Sequence, residues 1–253
     1  MNSQTTFQLG TLYLIPNTLG VYGTDGAQDT LRAVLAPQVV ETTARLQHFV
    51  VETAKVARQF LKAVGTQTPL QELQLTELNV KTPDAAVKDM LAPLLAGHDV
   101  GLLSDAGCPA VADPGARLVE AAHAAGVRVM PLVGPSSLLL ALMGSGLNGQ
   151  KFAFHGYLPI DAAARLKEVK RLESESKAHA QTQLFIETPY RNMPLLDTLL
   201  KTLNANTQLC VAADLTLPSE TIRMHRVGEW QKRLKQGQGL ELNKRPSIFL
   251  FLA

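Results

Sequence analysis

Short apolar runs bounded by Gly, Pro, Asn and Asp alternate along this chain with stretches whose apolar residues recur every three or four positions. The first kind reads as strand and the second as amphipathic helix. Thr11-Leu12-Tyr13-Leu14-Ile15 is the first strand, stopped by Pro16-Asn17-Thr18-Leu19-Gly20, and an irregular loop with Gly23, Asp25 and Gly26 follows. A helix is expected from near Ala27, with Leu31, Val34 and Leu35 on one face, ended or interrupted at Pro37. His48 to Val51 is a second strand, feeding a helix over Glu52 to Leu61 closed by Gly65. Leu73 to Leu78 alternates weakly as a third strand. Pro83 opens a helix with Val87, Met90, Leu91, Leu94 and Leu95 inward, ending at Gly97. Strand Val100–Leu103, a loop, helix Gly115–Ala125 and strand Val127–Met130 complete this half, and a buried helix follows Ser137.

Past the densest glycine cluster, Gly144-Ser145-Gly146-Leu147-Asn148-Gly149, the pattern changes. Strands are expected at Phe152–Leu158, Thr182–Glu187, Gln208–Ala213 and Pro246–Leu252, with helices at Ala162–Ala178 and Leu195–Leu203. Strands alternating with helices predict an α/β fold with mostly parallel sheet. The glycine cluster marks a linker between two α/β domains, residues 1–145 and 150–253. The mixed charges of Ala162–Ala178 read as a solvated helix face.

Composition narrows the function classes. At 253 residues the chain has room for two packed cores, and a formal charge of +2 is not the broad basic field of a purely electrostatic nucleic-acid binder. Cys108 and Cys210 lie far apart, the histidines show no ligand spacing, and no secretory pattern precedes Gly10. Two reduced thiols, no protein-bound metal, no membrane span and a cytoplasmic location are therefore expected.

The stretch with the most chemistry is Gly101 to Gly115, GLLSDAGCPAVADPG. An apolar strand breaks into a turn-rich loop, and Asp113-Pro114 reads as an N-cap followed by the favoured first helical residue. Loops at the carboxyl ends of strands in open α/β sheets bind ligands, and glycines let backbone approach them. An ordinary strand-to-helix connection has the same composition.

Five blocks in order turn this into a resemblance. Ser104-Asp105-Ala106-Gly107-Cys108-Pro109 with Asp113-Pro114-Gly115 is similar to the S-D-A-G-T-P-x-x-x-D-P-G stretch of the ribosomal RNA small subunit methyltransferase I group, within the tetrapyrrole (corrin/porphyrin) methylase superfamily. Gly134-Pro135-Ser136-Ser137, Phe154 to Pro159, Leu184 to Arg191, and Ala212 to Thr216 with Glu220-Thr221-Ile222 resemble the group's later blocks. The resemblance implies two α/β domains of the class III S-adenosylmethionine-dependent methyltransferase type, with the cofactor in a cleft between them and a homodimer as the assembly. Carried over block by block, it implies cofactor contacts at Leu19, Cys108, Val111, Ser136, Ser137, Ile186, Ala212 and Ser247. Core packing is the alternative for Val111, Ile186 and Ala212, and a nucleophilic Cys108 is not implied.

Departures cluster where the methyl acceptor would be recognised. The first loop has a changed glycine pattern; Ala54, Ala213 and Leu217 replace basic residues of the group, and Tyr190 replaces a histidine. Loss of cations removes phosphate contacts. Acceptor-side candidates are Glu52, Tyr157, Glu187, Tyr190, Arg191, Asp214 and Glu220. Blander readings stay open: caps of the inter-domain core for Tyr157 and Tyr190, an ion pair for Glu187 with Arg191, and loop-backbone satisfaction for Asp214 and Glu220. The expected activity is S-adenosylmethionine-dependent methyl transfer to a ribose 2′-hydroxyl of ribosomal RNA, by a paralogue of the rRNA enzyme whose partners are rRNA or the small ribosomal subunit. A tetrapyrrole-like or other small acceptor, or a non-catalytic S-adenosylmethionine- or RNA-binding homologue, are the other readings.

Overall fold

The computed structural model describes residues 8–20 and 27–253, so the loop with Gly23, Asp25 and Gly26 lies outside the described residues. The chain forms two compact units that part between Ser136 and Ser137.

Unit 1 holds five parallel strands, β1 (Thr11–Ile15), β2 (His48–Val51), β3 (Gln74–Glu77), β4 (Val100–Leu103) and β5 (Arg128–Pro131), in the order β3-β2-β4-β1-β5. Helices α1 (Ala27–Val34), α2 (Pro37–Arg45) and α3 (Ala54–Val64) cover one face, where Ile15, Phe49, Val51 and Leu103 meet Leu31, Leu35, Val39 and Phe60. On the other face α4 (Asp84–Asp89), α5 (Ala92–Leu95) and α6 (Ala116–Ala124) pack Val87, Leu94 and Leu118 on Leu12, Val50, Val100 and Leu102. Apolar residues on both faces of the inner strands β1, β2 and β4 thus serve two cores at once, as parallel sheets require. Gly101 lies between them without a side chain, because a Cβ there would lie 2.6 Å from Ile15 Cδ1 and 2.7 Å from Phe49 Cδ1. The chain leaves β1 over one face and β4 over the other. These neighbouring strands therefore flank the point where the winding reverses, the place where such sheets open a crevice for ligands.

Three local expectations are sharpened or changed. The helix from Ala27 is interrupted before Pro37, as expected, but the chain resumes at once, with Pro37 starting α2 at a position whose N–H would be unpaired anyway. The helix expected after Pro83 is split at Met90–Leu91 into α4 and α5, with Pro93 in the first turn of α5, and Leu95 is exposed. Asp113 is not an N-cap: α6 begins at Ala116, and the Asp113 carboxylate turns back onto Gly115 N and Ala110 N.

Unit 2 begins with α7 (Ser137–Ser145) and carries β6 (Phe152–Tyr157), α8 (Ala162–His179), β7 (Thr182–Glu187), α9 (Asn192–Thr202), β8 (Gln208–Ala213), β9 (Thr221–Arg226), α10 (Val227–Lys235) and β10 (Ser247–Leu252). Its sheet order is β6-β7-β10-β8-β9, parallel only between β6 and β7, so the mostly parallel expectation holds for unit 1 alone. Helices α8, α9 and α10 bury Leu172, Leu199 and Trp230 against Phe185, Phe249 and Phe251. Helix α7 packs on β8, β9 and β10, where a Cβ on Gly144 would lie 2.5 Å from Ile222 Cδ1. Packing thus groups α7 with the second sheet, whereas the glycine cluster set the expected boundary at residue 145. The helix is apolar all round, yet Leu139 and Met143 are exposed, so it is not a buried helix.

Candidate functional site

At the carboxyl end of the unit 1 sheet, the loops leaving β1, β2 and β4 are tied together. Asn17 N donates to Gly107 O at 2.8 Å and Gly107 N donates to Thr18 O at 3.3 Å, joining the β1 and β4 loops where the winding reverses. The Asn17 side-chain amide adds bonds to Ser104 O and Asp105 O at 3.1 and 3.2 Å. Gly107 has φ +68°, and a Cβ there would lie 3.1 Å from Leu19 Cδ2, so only glycine fits without strain. The loop after β5 closes against the same end: a Cβ on Gly134 would lie 2.2 Å from Pro16 Cβ, and the Cys108 thiol donates to Pro135 O at 3.4 Å. Burial pushes the Cys108 thiol up, so it stays protonated at neutral pH.

Between Pro109 and Gly115 the loop is held by one side chain. Asp113 Oδ1 accepts from Gly115 N at 2.7 Å and from Ala110 N at 2.9 Å, and both Ala110 (φ +65°) and Ala112 (φ +60°) take left-handed backbone. Burial raises the Asp113 pKa, and these two backbone bonds oppose the rise. Val111, at the tip, is 48% exposed, which removes core packing as its role. Leu19, Cys108, Val111 and Ser136 all lie on the strand-end loops of unit 1.

Glu52 and Thr53, just past β2, grip the same loop. Glu52 Oε2 accepts from Asp105 N at 3.0 Å, and Thr53 Oγ1 donates to Asp105 Oδ2 at 2.7 Å. Glu77 Oε1 accepts from Ala54 N at 2.8 Å, at the start of α3. Glu52 Oε1 accepts no bond from the described residues. Burial raises the Glu52 pKa; the Asp105 backbone bond opposes it, and the charges of Asp105 and Asp113 add to it.

Unit 2 gathers its candidates at one end of its sheet. Ser247 faces Glu187 on one side and Ala213 on the other, while Ile186, Ile248 and Ala212 form the next row. Tyr157 pairs with Ile186 after an irregularity in β6 and is 57% exposed. Ser137 opens α7. The Glu187 side chain is buried; its Oε1 takes Arg191 Nη2 at 2.6 Å and Thr188 N at 2.6 Å, so the ion-pair reading of these two residues holds. Asn192 Nδ2 donates to Arg245 O at 2.6 Å and to Ser247 Oγ at 3.2 Å.

Asp214 (φ +52°) does not serve loop backbone: its Oδ2 accepts from Ser219 Oγ at 2.8 Å and Arg245 Nε at 2.7 Å. Glu220 does serve backbone, accepting from Thr216 N at 2.8 Å. Tyr190 is 74% exposed and caps no core of unit 2. Sequence reasoning missed Asp105, Asn192 and Arg245 as organisers of these ends. Arg245 lies 31 residues from Asp214, and only the β8–β10 pairing brings them together. Asp105 was legible, since it stands in the loop singled out from sequence.

A profile of the Tetrapyrrole (Corrin/Porphyrin) Methylases matches residues 25–231. The chain is 32% identical over 213 residues to "Ribosomal RNA small subunit methyltransferase I" of Xylella fastidiosa, covering 84% of this chain and 71% of that protein. It is 30% identical over 234 residues to the protein of the same name from Escherichia coli O157:H7, covering 90% and 73%. Among solved structures, uroporphyrin-III-C-methyltransferase from Thermus thermophilus aligns over 96% of this chain and 92% of its own, with TM-score 0.53 and 20% identity, a likeness of fold.

Proposed function

This chain belongs to the tetrapyrrole (corrin/porphyrin) methylase family, and from that premise we propose that it methylates a ribose 2′-hydroxyl of small-subunit ribosomal RNA, using S-adenosylmethionine. Membership makes it an S-adenosylmethionine-dependent methyltransferase. The RNA acceptor rests on its relatives, which carry the rRNA name along most of its length. The observation that carries the donor side is the bonding of the β1 and β4 loops at the winding reversal, with left-handed backbone at Gly107, Ala110 and Ala112.

These residues fit a cofactor held by backbone. At Gly107 the cradle would be filled by a Cβ, and the Ser136 and Ser137 hydroxyls form no hydrogen bond among the described residues. Leu19, Cys108, Val111 and Ser136, on the strand-end loops of unit 1, would hold it. When bound, the cofactor supplies a methyl group already activated by a sulfonium charge, so the protein's task is positioning and proton removal.

Glu52 is the group for proton removal. Asp113 accepts from two backbone groups, Ala110 N and Gly115 N, whereas Glu52 accepts from Asp105 N alone among the described residues, through Oε2, and burial raises it. A carboxylate raised by burial is a better base than an ordinary one. Its Oε1 would take the proton that the acceptor hydroxyl sheds and release it to water.

The protein works in this reading as a cytoplasmic homodimer, and sedimentation at twice the 27.3 kDa chain mass is expected. Transfer of labelled methyl from S-adenosylmethionine to deproteinised small-subunit rRNA, followed by nuclease mapping to a 2′-O-methylnucleoside, tests the function. Label appearing only in small molecules would replace RNA by a small acceptor, and no S-adenosylmethionine binding would sink the donor assignment.

A further inference from the structure

The charges of the two units differ. Residues 1–136 hold nine Lys and Arg against twelve Asp and Glu, and residues 137–253 hold fifteen against ten, so a chain of formal charge +2 is an acidic unit 1 joined to a basic unit 2. The excess is local. Between Thr221 and Arg245 there are seven Lys and Arg and two carboxylates, Glu229 and Glu241.

Topology makes this segment a continuous border. β9 is an edge strand, with Thr221 opposite Ala213 at the candidate-site end and Arg226 opposite Gln208 at the far end. α10 starts at that far end, where Val227 N bonds Thr207 O, and the chain then returns to Ser247 at the site end. Lys244 arrives beside the β7 turn: its N donates to Pro189 O at 3.2 Å, next to the exposed Tyr190.

Most of these cations are uncommitted. Arg245 is tied to Asp214, Arg233 to Glu229, and Arg226 to Asn206 O. Arg223, Lys232, Lys235 and Lys244 are exposed and form no ion pair among the described residues. His225 packs edge-on against Trp230 at 5.1 Å; burial lowers its pKa first, and the Arg233 and Arg223 charges lower it further against Glu229. The surface around it is therefore cationic without histidine protonation.

We propose that the border formed by β9, α10 and the Lys244 turn is the surface on which unit 2 holds the RNA strand, with Arg223, Lys232, Lys235 and Lys244 on phosphates and Tyr190 stacked on a base near the site end. It rests on the RNA reading above and adds where the strand lies. Spaced cations ending at an exposed aromatic are what a single strand needs, since phosphates supply salt-dependent affinity and ring stacking is tolerant of sequence.

Filter binding of deproteinised small-subunit rRNA across a salt series tests it. Compared with wild type, the triple variant Arg223→Gln/Lys232→Gln/Lys244→Gln is expected to bind about tenfold or more weakly at low salt, with the slope of log K against log salt reduced by about two to three. Tyr190→Ala is expected to lower affinity by roughly five- to a hundredfold with the slope unchanged. A unit 1 control, Arg58→Gln/Lys62→Gln/Lys88→Gln, is expected to match wild type in both, and calorimetry with S-adenosylmethionine checks that every variant is folded. Wild-type slope and affinity in the unit 2 triple variant, or an equal loss in the control, overturns the proposal while leaving the RNA reading intact. Wild-type protein that neither binds nor methylates rRNA overturns both.

Discussion

Glu52 is half-buried and bonded to a loop it helps to organise, so its effect on stability and the role of base proposed for it have opposite signs. A carboxyl whose folded pKa lies above its unfolded value binds more protons when folded, so it takes stability away as pH rises through that window. Glu52→Gln keeps an oxygen for Asp105 N and removes the buried charge. The expected outcome is a melting temperature at neutral pH equal to or above wild type, with methyl transfer reduced by about 10²–10⁴-fold. A rise of kcat with pH is expected in wild type and should vanish in the variant; a Glu52→Gln enzyme with unchanged kcat and pH profile would remove Glu52 from the chemistry. Gly107→Ala is different in kind: a left-handed φ costs about 1–2 kcal/mol for a residue with a Cβ, and that Cβ would press on Leu19, 3.1 Å away. Calorimetry should show weaker S-adenosylmethionine binding together with the loss of stability. Unaltered affinity would detach this turn from the donor site.

Elements in unit 2 are fastened at the site end by one arginine. Arg245 reaches Asp214 after β8, and its Nη2 donates to Ser219 O at 2.6 Å and Thr221 Oγ1 at 2.7 Å before β9, so a single side chain closes the β8–β9 connection against β10. The pair is only partly shielded, with side-chain exposures of 24% for Arg245 and 9% for Asp214. Arg245→Ala is therefore expected to cost about 2–3 kcal/mol, below the value for a fully buried pair. A fall in the urea midpoint at constant m-value would measure it, and the double variant with Asp214→Asn should recover part of the loss. α10 itself was missed in the sequence pattern because it is short and its inward residues are few, Val227 and Trp230 among them. Trp230 fixes it by donating Nε1–H to Leu209 O at 2.9 Å.

Across the whole molecule, a ligand that binds only the folded chain must raise its stability. S-adenosylmethionine at about a hundred times its Kd should add about 2.7 kcal/mol, a melting shift of roughly 5–10 °C for a chain of this size. No shift at millimolar concentration would contradict the methyl-donor reading at its base. The opposite charges of the two units belong to the same scale: they leave the net charge near neutral while making one half acidic and the other basic.

Local sequence determined what local physics can determine. The runs at Thr11–Ile15, His48–Val51 and Val100–Leu103 are strands because short apolar runs bounded by breakers are most simply buried that way. The Ser104 to Gly115 loop was legible because glycine and proline act within a few residues of themselves. Tertiary structure decided whatever depends on which distant segments become neighbours. It assigned α7 to the second sheet, where the Ile222 side chain meets Gly144, and made β10 the centre of that sheet. It also joined Glu52 to Asp105 and Arg245 to Asp214, across 53 and 31 residues. Hydrogen bonds of that span leave no period or spacing in the chain, because they are set by strand order, and strand order is chosen by the packing of whole faces.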